Sequence, residues 1–500
     1  MSTLTALAKA QAVVTGRAQP IATVRHLHLV DHPLVLIPLT LAGETNAPLA
    51  ALVGDAPEAA RLLVVPQPRN RDQRYAFAAE LGRILLPYLA ARREASEEVP
   101  VDRGRQIRLR HLDAPQLLVP NPGGITFLRL LGRDTRFRRT DGDWPVDPVV
   151  PLLGRWLTFL ADQAEIAGSS LTVAMTEALT THWATGQSAM EDQHLGALLG
   201  WLDPPPGLTG AQAAALAEEP SRCPPAGPVT DPEFDNEHLA PAMDAYAAAV
   251  GDPAAERAAY ARLAELLRGQ LEPTWKLMWR GYDLLDGLTP GQRVADRWAS
   301  DRDAFTGFAE QVDAGAPPQR KRDTAVAAAT RLERLERAAE TYARQRAYDD
   351  PLVMAGYRLT GEAFLGEVTM ADPTRIDDTG RVRKLRPRIM LVTADPVRQP
   401  EGTQLCSPIR PAQIATLIRT EPARDGRTSV VLELSGGMGR SLTAPPGSVP
   451  EVGERLCYTT LTEKFSRTVP LPEPERTPWT HGGPPPEYEP ELTDAPPGPR

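Results

Sequence analysis

Hydrophobic positions along this chain follow two rhythms. Toward the C-terminal end they come in short runs: Ala363–Met370, Ile389–Thr393, Ile414–Arg419, Ser429–Leu434 and Arg455–Leu461. Turn residues separate them at Asp372-Pro373, Asp395-Pro396, Asp425-Gly426, Gly436-Gly437 and Pro445-Pro446-Gly447. Short strands punctuated in this way predict a small sandwich or barrel. Ser429–Leu434 alternates most cleanly. Val430, Leu432 and Leu434 fall on one face, and Ser429, Val431 and Glu433 on the other, as in a half-buried strand.

Upstream the rhythm is mixed and then helical. Thr23–Val30, Leu34–Ala42, Arg61–Pro66, Ile107–Leu112 and Leu117–Val119 read as strands, and a short helix is expected after Asn46. Tyr75–Arg92 sets Phe77, Leu81, Ile84, Leu85 and Leu89 on one side of a helix, and Gly124–Leu131 is a second helix. Strands alternating with helices predict an α/β domain. Val149–Ala164, Leu171–Ala184 and Leu195–Leu202 then read as helices. Asp203-Pro204-Pro205-Pro206-Gly207 opens a Pro-rich connector. In the next helical block Tyr260, Leu263, Leu267 and Leu271 recur at helical spacing, followed by Trp275, Met278, Trp279, Tyr282 and Leu285. That spacing is read as a buried face rather than a ligand groove. The helix Asp323–Tyr348 carries a stripe of Ala325, Ala328, Leu332, Leu335, Ala339 and Tyr342. The stripe is short and Ala-rich, which favours packing within the domain over an inter-chain coiled coil.

The fold class is therefore α+β and multidomain. The expected parts are an α/β domain (1–140), a helical segment (141–202), the connector (203–233) and a helical domain (234–356). A small β-barrel-like module (357–468) and a disordered, acidic, Pro-rich tail (469–500) follow. The tail holds 11 prolines, with six acids against two arginines, too little apolar surface to order itself.

Composition narrows the function classes. A net charge of −9 and a pI of about 5.6 exclude a protein whose main work is coating nucleic acid. The module 357–468 differs, with 16 Arg or Lys against 13 Asp or Glu. Cys223, Cys406 and Cys457 form neither a zinc motif nor a disulfide framework, which fits a reducing cytoplasm. No basic, apolar leader opens the sequence, and no run approaches the ~20 apolar residues of a membrane helix, so no membrane partner is expected.

Catalytic signatures are missing. The chain has no Gly-x-Ser-x-Gly, Walker loop, His-Glu-x-x-His or Rossmann fingerprint, and its first 270 residues contain a single lysine, Lys9. No cofactor is implied. His26-Leu27-His28 is the one His-x-His. On a strand both rings would share a face and could supply two metal ligands. A lone pair is not a site, so two polar residues on a solvent face is the preferred reading. Ser435-Gly436-Gly437-Met438-Gly439-Arg440 lacks the following helix that a phosphate cradle needs, and is read as a hairpin turn.

The strongest candidate surface is the basic run Arg381, Arg383, Lys384, Arg386 and Arg388, with Arg440 on the Gly loop. Such a run on a small barrel can track a nucleic-acid backbone. Stacking aromatics are sparse, limited to Tyr357, Phe364, Tyr458 and Phe465, so binding there is expected to be weak. The chain reads as a non-catalytic cytoplasmic accessory or scaffold protein. Its β module is expected to dock a protein partner, with nucleic acid or a nucleic-acid-processing enzyme as candidates and the oligomeric state open. The alternative is a metal-dependent enzyme using His26 and His28 on the N-terminal α/β domain.

Overall fold

The structure is a computed structural model and describes residues 3–44, 47–101, 105–224, 227, 229–462 and 490–494. The chain divides into two compact units. One comprises Met1–Leu7, Ile21–Val24 and Glu340–Pro470, the other Ala8–Pro20, Arg25–Ala339 and Leu471–Arg500.

The elements begin with α1 (Thr3–Thr15), β1 (Gln19–Pro20), β2 (Leu34–Thr40), β3 (Pro48–Gly54), β4 (Arg61–Val64), α2 (Arg71–Ala91), β5 (Ser96–Val101), β6 (Gln106–His111) and β7 (Leu117–Val119). They continue with α3 (Pro122–Thr135), α4 (Val149–Gln163), β8 (Thr172–Ala174), α5 (Met175–His182), β9 (Trp183–Ala184), α6 (Leu195–Leu202), α7 (Gly210–Ala217) and α8 (Pro232–Phe234). The last helices are α9 (Ala240–Ala249), α10 (Pro253–Asp286), α11 (Val294–Asp313), α12 (Ala325–Asp349) and α13 (Pro351–Thr360).

The larger unit is organised around a five-stranded sheet of order β4-β3-β2-β7-β8. β2, β3 and β4 form an antiparallel meander, while β2, β7 and β8 run parallel. All seven residues of β2 and of β3 are buried, because helices cover both faces of the sheet. The period of two sends alternate side chains to separate cores. Leu34, Leu36, Ala51 and Val53 join Leu81, Leu85, Leu153 and Phe305 of α2, α4 and α11. Val35, Ile37, Leu39 and Leu52 join Leu179, Leu198, Leu267 and Met278 of α5, α6 and α10. Pro38 is tolerated in this central strand because the pairing of β2 with β7 stops at Val35, so no β7 hydrogen bond falls at Pro38 among the described residues.

Several sequence expectations change here. Thr23–Val30 is not a strand; it is irregular chain with an isolated bridge at Arg25. The segment after Asn46 is β3 rather than a helix: burial on both faces removes the alternation that marks a strand, and its alanines mimic a helix. Leu171–Ala184 divides into β8, α5 and β9. The connector contains α7, started by a capping box in which Thr209 and Gln212 exchange hydrogen bonds. The α10 stripe is core as expected at Leu263, Leu267, Leu271, Trp275, Met278 and Leu285, while Trp279 and Tyr282 are partly buried and Tyr260, at the start of the stripe, is exposed. The α12 stripe is not. Ala347 is its one buried residue among those described, and Leu332 is 56% exposed, because short alanines give a neighbouring helix little surface to cover.

The smaller unit ends in the barrel. Asp350 caps α13 by accepting from Leu352 N, and its carboxylate also takes the backbone N–H and hydroxyl of Thr23. Gly361, at φ 81°, ends that helix in the left-handed conformation. Next come β10 (Ala363–Asp372), β11 (Ile376–Asp377), β12 (Lys384–Leu385), β13 (Arg388–Thr393), β14 (Gln404–Ser407), β15 (Arg410–Pro422), β16 (Thr428–Ser435) and β17 (Arg455–Thr459). Six of these close into an antiparallel barrel of order β10-β13-β16-β15-β14-β17. The alternation expected of Ser429–Leu434 is present: Val430, Leu432 and Leu434 are fully buried beside Phe364, Leu391, Leu417, Leu456 and Tyr458. β10 and β15 each carry a register shift, the local irregularity that lets strands curve to closure. Asp425 (φ 70°) and Gly426 (φ 72°) supply the two left-handed residues that turn β15 into β16.

β14 has no counterpart in the sequence reading, since Leu405, Cys406 and Ser407 are buried in succession and show no alternation. The Gly loop is not a hairpin turn. β16 and β17 are not neighbours, and Gly436, Gly437 and Gly439, all at positive φ, begin a long crossing between them. Of the acidic tail only 490–494 fall among the described residues. There Thr493 N–H donates to Phe137 O at 2.9 Å, and Asp494 lies 3.8 Å from Arg139. The remainder of the tail, and Phe465, lie outside the described residues.

Candidate functional site

The basic run is divided by the fold into a root and a tip. β11 and β12 pair through Ile376–Leu385 and Asp377–Lys384 to make a hairpin arm between barrel strands β10 and β13. The root is fixed from two sides. Leu385 enters the barrel core, and Glu433 of β16 takes Arg375 (2.6 Å) and Arg388 (3.0 Å) on one carboxylate oxygen. Arg386 is half-buried and donates to the carbonyl of Leu385. At the tip, the Thr379 hydroxyl and amide both donate to Asp377, tightening the turn and holding that carboxyl below its usual range.

The side chains of Arg381, Arg383 and Lys384 are exposed and have no ion-pair or hydrogen-bond partner among the described residues. Val382, 65% exposed, lies between two of them. Arg440 is likewise exposed and without a partner among the described residues, but it stands on the separate β16–β17 crossing. Of the six cations singled out from sequence, three therefore form one surface, two are folded into its base, and Arg440 belongs to another loop. The barrel offers no stacking platform in its own aromatics. Phe364 and Tyr458 are buried with ring centroids 6.1 Å apart, and Tyr357 is half-buried.

The histidines lie in the other unit and are not on a solvent face. His26 is 0% exposed, and its backbone N–H donates to His182 Nε2 at 2.9 Å. His182 Nδ1 lies 2.7 Å from the Ala178 carbonyl, which fixes it as the donating nitrogen of a neutral ring. His28 stacks on Trp298 at 4.2 Å, and burial, with Arg25 nearby, lowers its pKa to about 4. Its backbone N–H donates to Ser170 Oγ, while Asp301 accepts from Ser170 N–H at 2.7 Å. Burial raises the Asp301 carboxyl to about 7 against the pull of its hydrogen bonds from the Ser170 amide and the Ser169 side chain and of Arg297. Gln116 closes the cluster through the carbonyls of His28 and Ser170. These groups form one hydrogen-bonded cluster where β2, β7 and β8 begin. Among the described residues no group of three or more His, Cys, Asp or Glu is placed to hold a metal ion.

Open α/β sheets generally take their ligands at the carboxyl ends of parallel strands, beside the point where the strand order reverses. Here that point lies between β2 and β7, and the connector occupies it. Thr40 bridges Val229, and Asn121, just past β7, donates to the carbonyl of Gly227 at 3.2 Å. Gly227 lies so close to Pro38 that a Cβ would stand 2.4 Å from its carbonyl oxygen, which explains glycine there. No helix among the described residues is long and apolar enough to cross a membrane. No family model, no curated protein and no solved structure matches this chain.

Proposed function

We propose that this is a non-catalytic accessory protein whose barrel docks a polyanionic partner through the β11–β12 arm. The observation that carries the reading is the division of the basic run. Arg375 and Arg388 spend their charge on Glu433 and fix the arm, while Arg381, Arg383 and Lys384 remain uncommitted at its end. A cation without an internal partner keeps its full Coulomb attraction for an external one. The connector seated at the carboxyl ends of β2 and β7 supports the non-catalytic half, because it fills the place where a sheet of this kind would present chemistry. The three cysteines are unbridged, in keeping with a cytoplasmic location.

The first partner to test is single-stranded nucleic acid. Three uncommitted cations predict weak, sequence-independent binding at low salt, with log K falling against log[salt] at a slope of about −2. Fluorescence anisotropy of a labelled oligonucleotide with the full chain reads this directly. Changing Arg381, Arg383 and Lys384 together to Ser should abolish the signal and leave the melting temperature unchanged. Wild-type protein that binds nothing at low ionic strength would remove nucleic acid, leaving an acidic protein as the partner of the arm.

A further inference from the structure

The larger unit contains a cavity of about 600 Å³ at the amino end of β2, walled by one face of α2 and by the turn from β3 to β4. We propose that this cavity binds a zwitterion of the amino-acid class, a free amino acid or short peptide with an apolar side chain. Its size falls in the range of ordinary small-molecule sites.

Charge accounting selects the ligand. Arg92 is already committed to Asp113 (2.6 Å) and to the carbonyl of His32, and its guanidinium lies over the ring of Tyr88. Arg83 is committed to Glu80 and Asp147. Two lining groups of opposite sign are left. Arg61 and Asp55 have no partner among the described residues, and they form no ion pair with each other although they face the same space. A ligand bearing both a carboxylate and an ammonium satisfies both; a simple anion or cation satisfies one and leaves the other opposed to it. The guanidinium fork of Arg61 suits a planar carboxylate.

A second acceptor for the ammonium lies in the backbone. Pro87, inside α2, has no N–H, so the carbonyl of Arg83 four residues earlier lacks its regular i+4 donor. Both residues line the cavity. The rest of the wall includes Leu34, Ile84 and Ala91, an apolar bed for a side chain.

Isothermal titration calorimetry on the full chain tests this, with L-phenylalanine and the dipeptide Phe-Phe as probes. N-acetyl-L-phenylalanine lacks the ammonium, and phenethylamine lacks the carboxylate. Saturable binding of a zwitterion is expected, weakened at least tenfold for each single-charge analogue. Arg61→Ala and Asp55→Ala should each weaken zwitterion binding at least tenfold. Asp55→Ala should also remove the preference for phenylalanine over its N-acetyl derivative, which a merely structural effect would not do. Both residues are exposed, so both variants should keep the wild-type melting temperature. No binding of either zwitterion at 10 mM (roughly the weakest affinity worth calling a site), equal binding of the analogues, or binding untouched by both substitutions would each overturn the proposal.

Discussion

Arg136 of the α/β unit and Arg381 of the barrel unit do opposite work. In the α/β unit Arg136 is 3% exposed and serves as a structural clamp. Its guanidinium donates to the carbonyls of Gln319 and Arg320 and to Thr158 Oγ1, and lies against the ring of Phe137. In the barrel unit Arg381 and Arg383 touch no carboxylate or carbonyl among the described residues. The same side chain is a rivet in one place and a free charge in the other, and the difference lies in what the fold sets opposite it. A count of basic residues therefore does not say which charges are free for a partner; a count of uncommitted ones does.

The largest effect that would test this contrast is in the α/β unit. Arg136→Met keeps the apolar stem but strands two carbonyls, and should cost about 3 kcal/mol in urea unfolding of the full chain. A cost near zero would mean the clamp is as idle as the arm.

The buried titratable groups of the same unit give a pH test. The Asp301 carboxyl is raised to about 7, so the folded state holds a proton that the unfolded chain releases near 4. Its contribution therefore falls as pH rises from about 4 to 7. His28 is lowered to about 4, so the unfolded chain takes up a proton near 6.5 that the folded state refuses. Its contribution falls as pH drops from about 6.5 to 4. The two slopes oppose each other and nearly cancel in the wild type. Relative to wild type, Asp301→Asn should gain stability as pH rises through this window, and His28→Asn should gain as pH falls. Denaturant midpoints at half-unit pH steps would show it; parallel curves for all three proteins would refute it.

Smaller effects are expected in the barrel. Arg388→Gln weakens the root of the arm while Arg375 still holds Glu433, so about 0.5–1 kcal/mol is expected. The smallest effect belongs to the triple change at the arm tip, within about 0.5 kcal/mol, as for surface positions without partners. If the tip costs more than the root, the arm packs against something and is not a free surface.

How much of this could be read from the chain follows from burial. β16 was legible because one face of it is wet and the other dry, so Val430, Leu432 and Leu434 alternate with polar residues. β3 and β14 were not, because covering both faces erases alternation, and three-residue β8 is too short to show a period. The candidate surface was legible as a run of charge, but its division was not: Glu433 lies 45 residues from Arg388. The histidine spacing suggested a strand with an exposed face, whereas His26 is buried by a partner 156 residues away, a tertiary contact that no local pattern records. The cavity draws on β2, the β3–β4 turn, α2 and the approach to β7, so its chemistry has no sequence signature at all.

The barrel also begins and ends at one point. Ala363, which opens β10, and Thr459, which closes β17, are cross-strand partners, which places their Cα atoms about 5 Å apart. A closed sheet whose two ends meet is a cassette. Linking those ends and opening the exposed Asp425-Gly426 turn is a circular permutation that keeps every strand's neighbours in the barrel order.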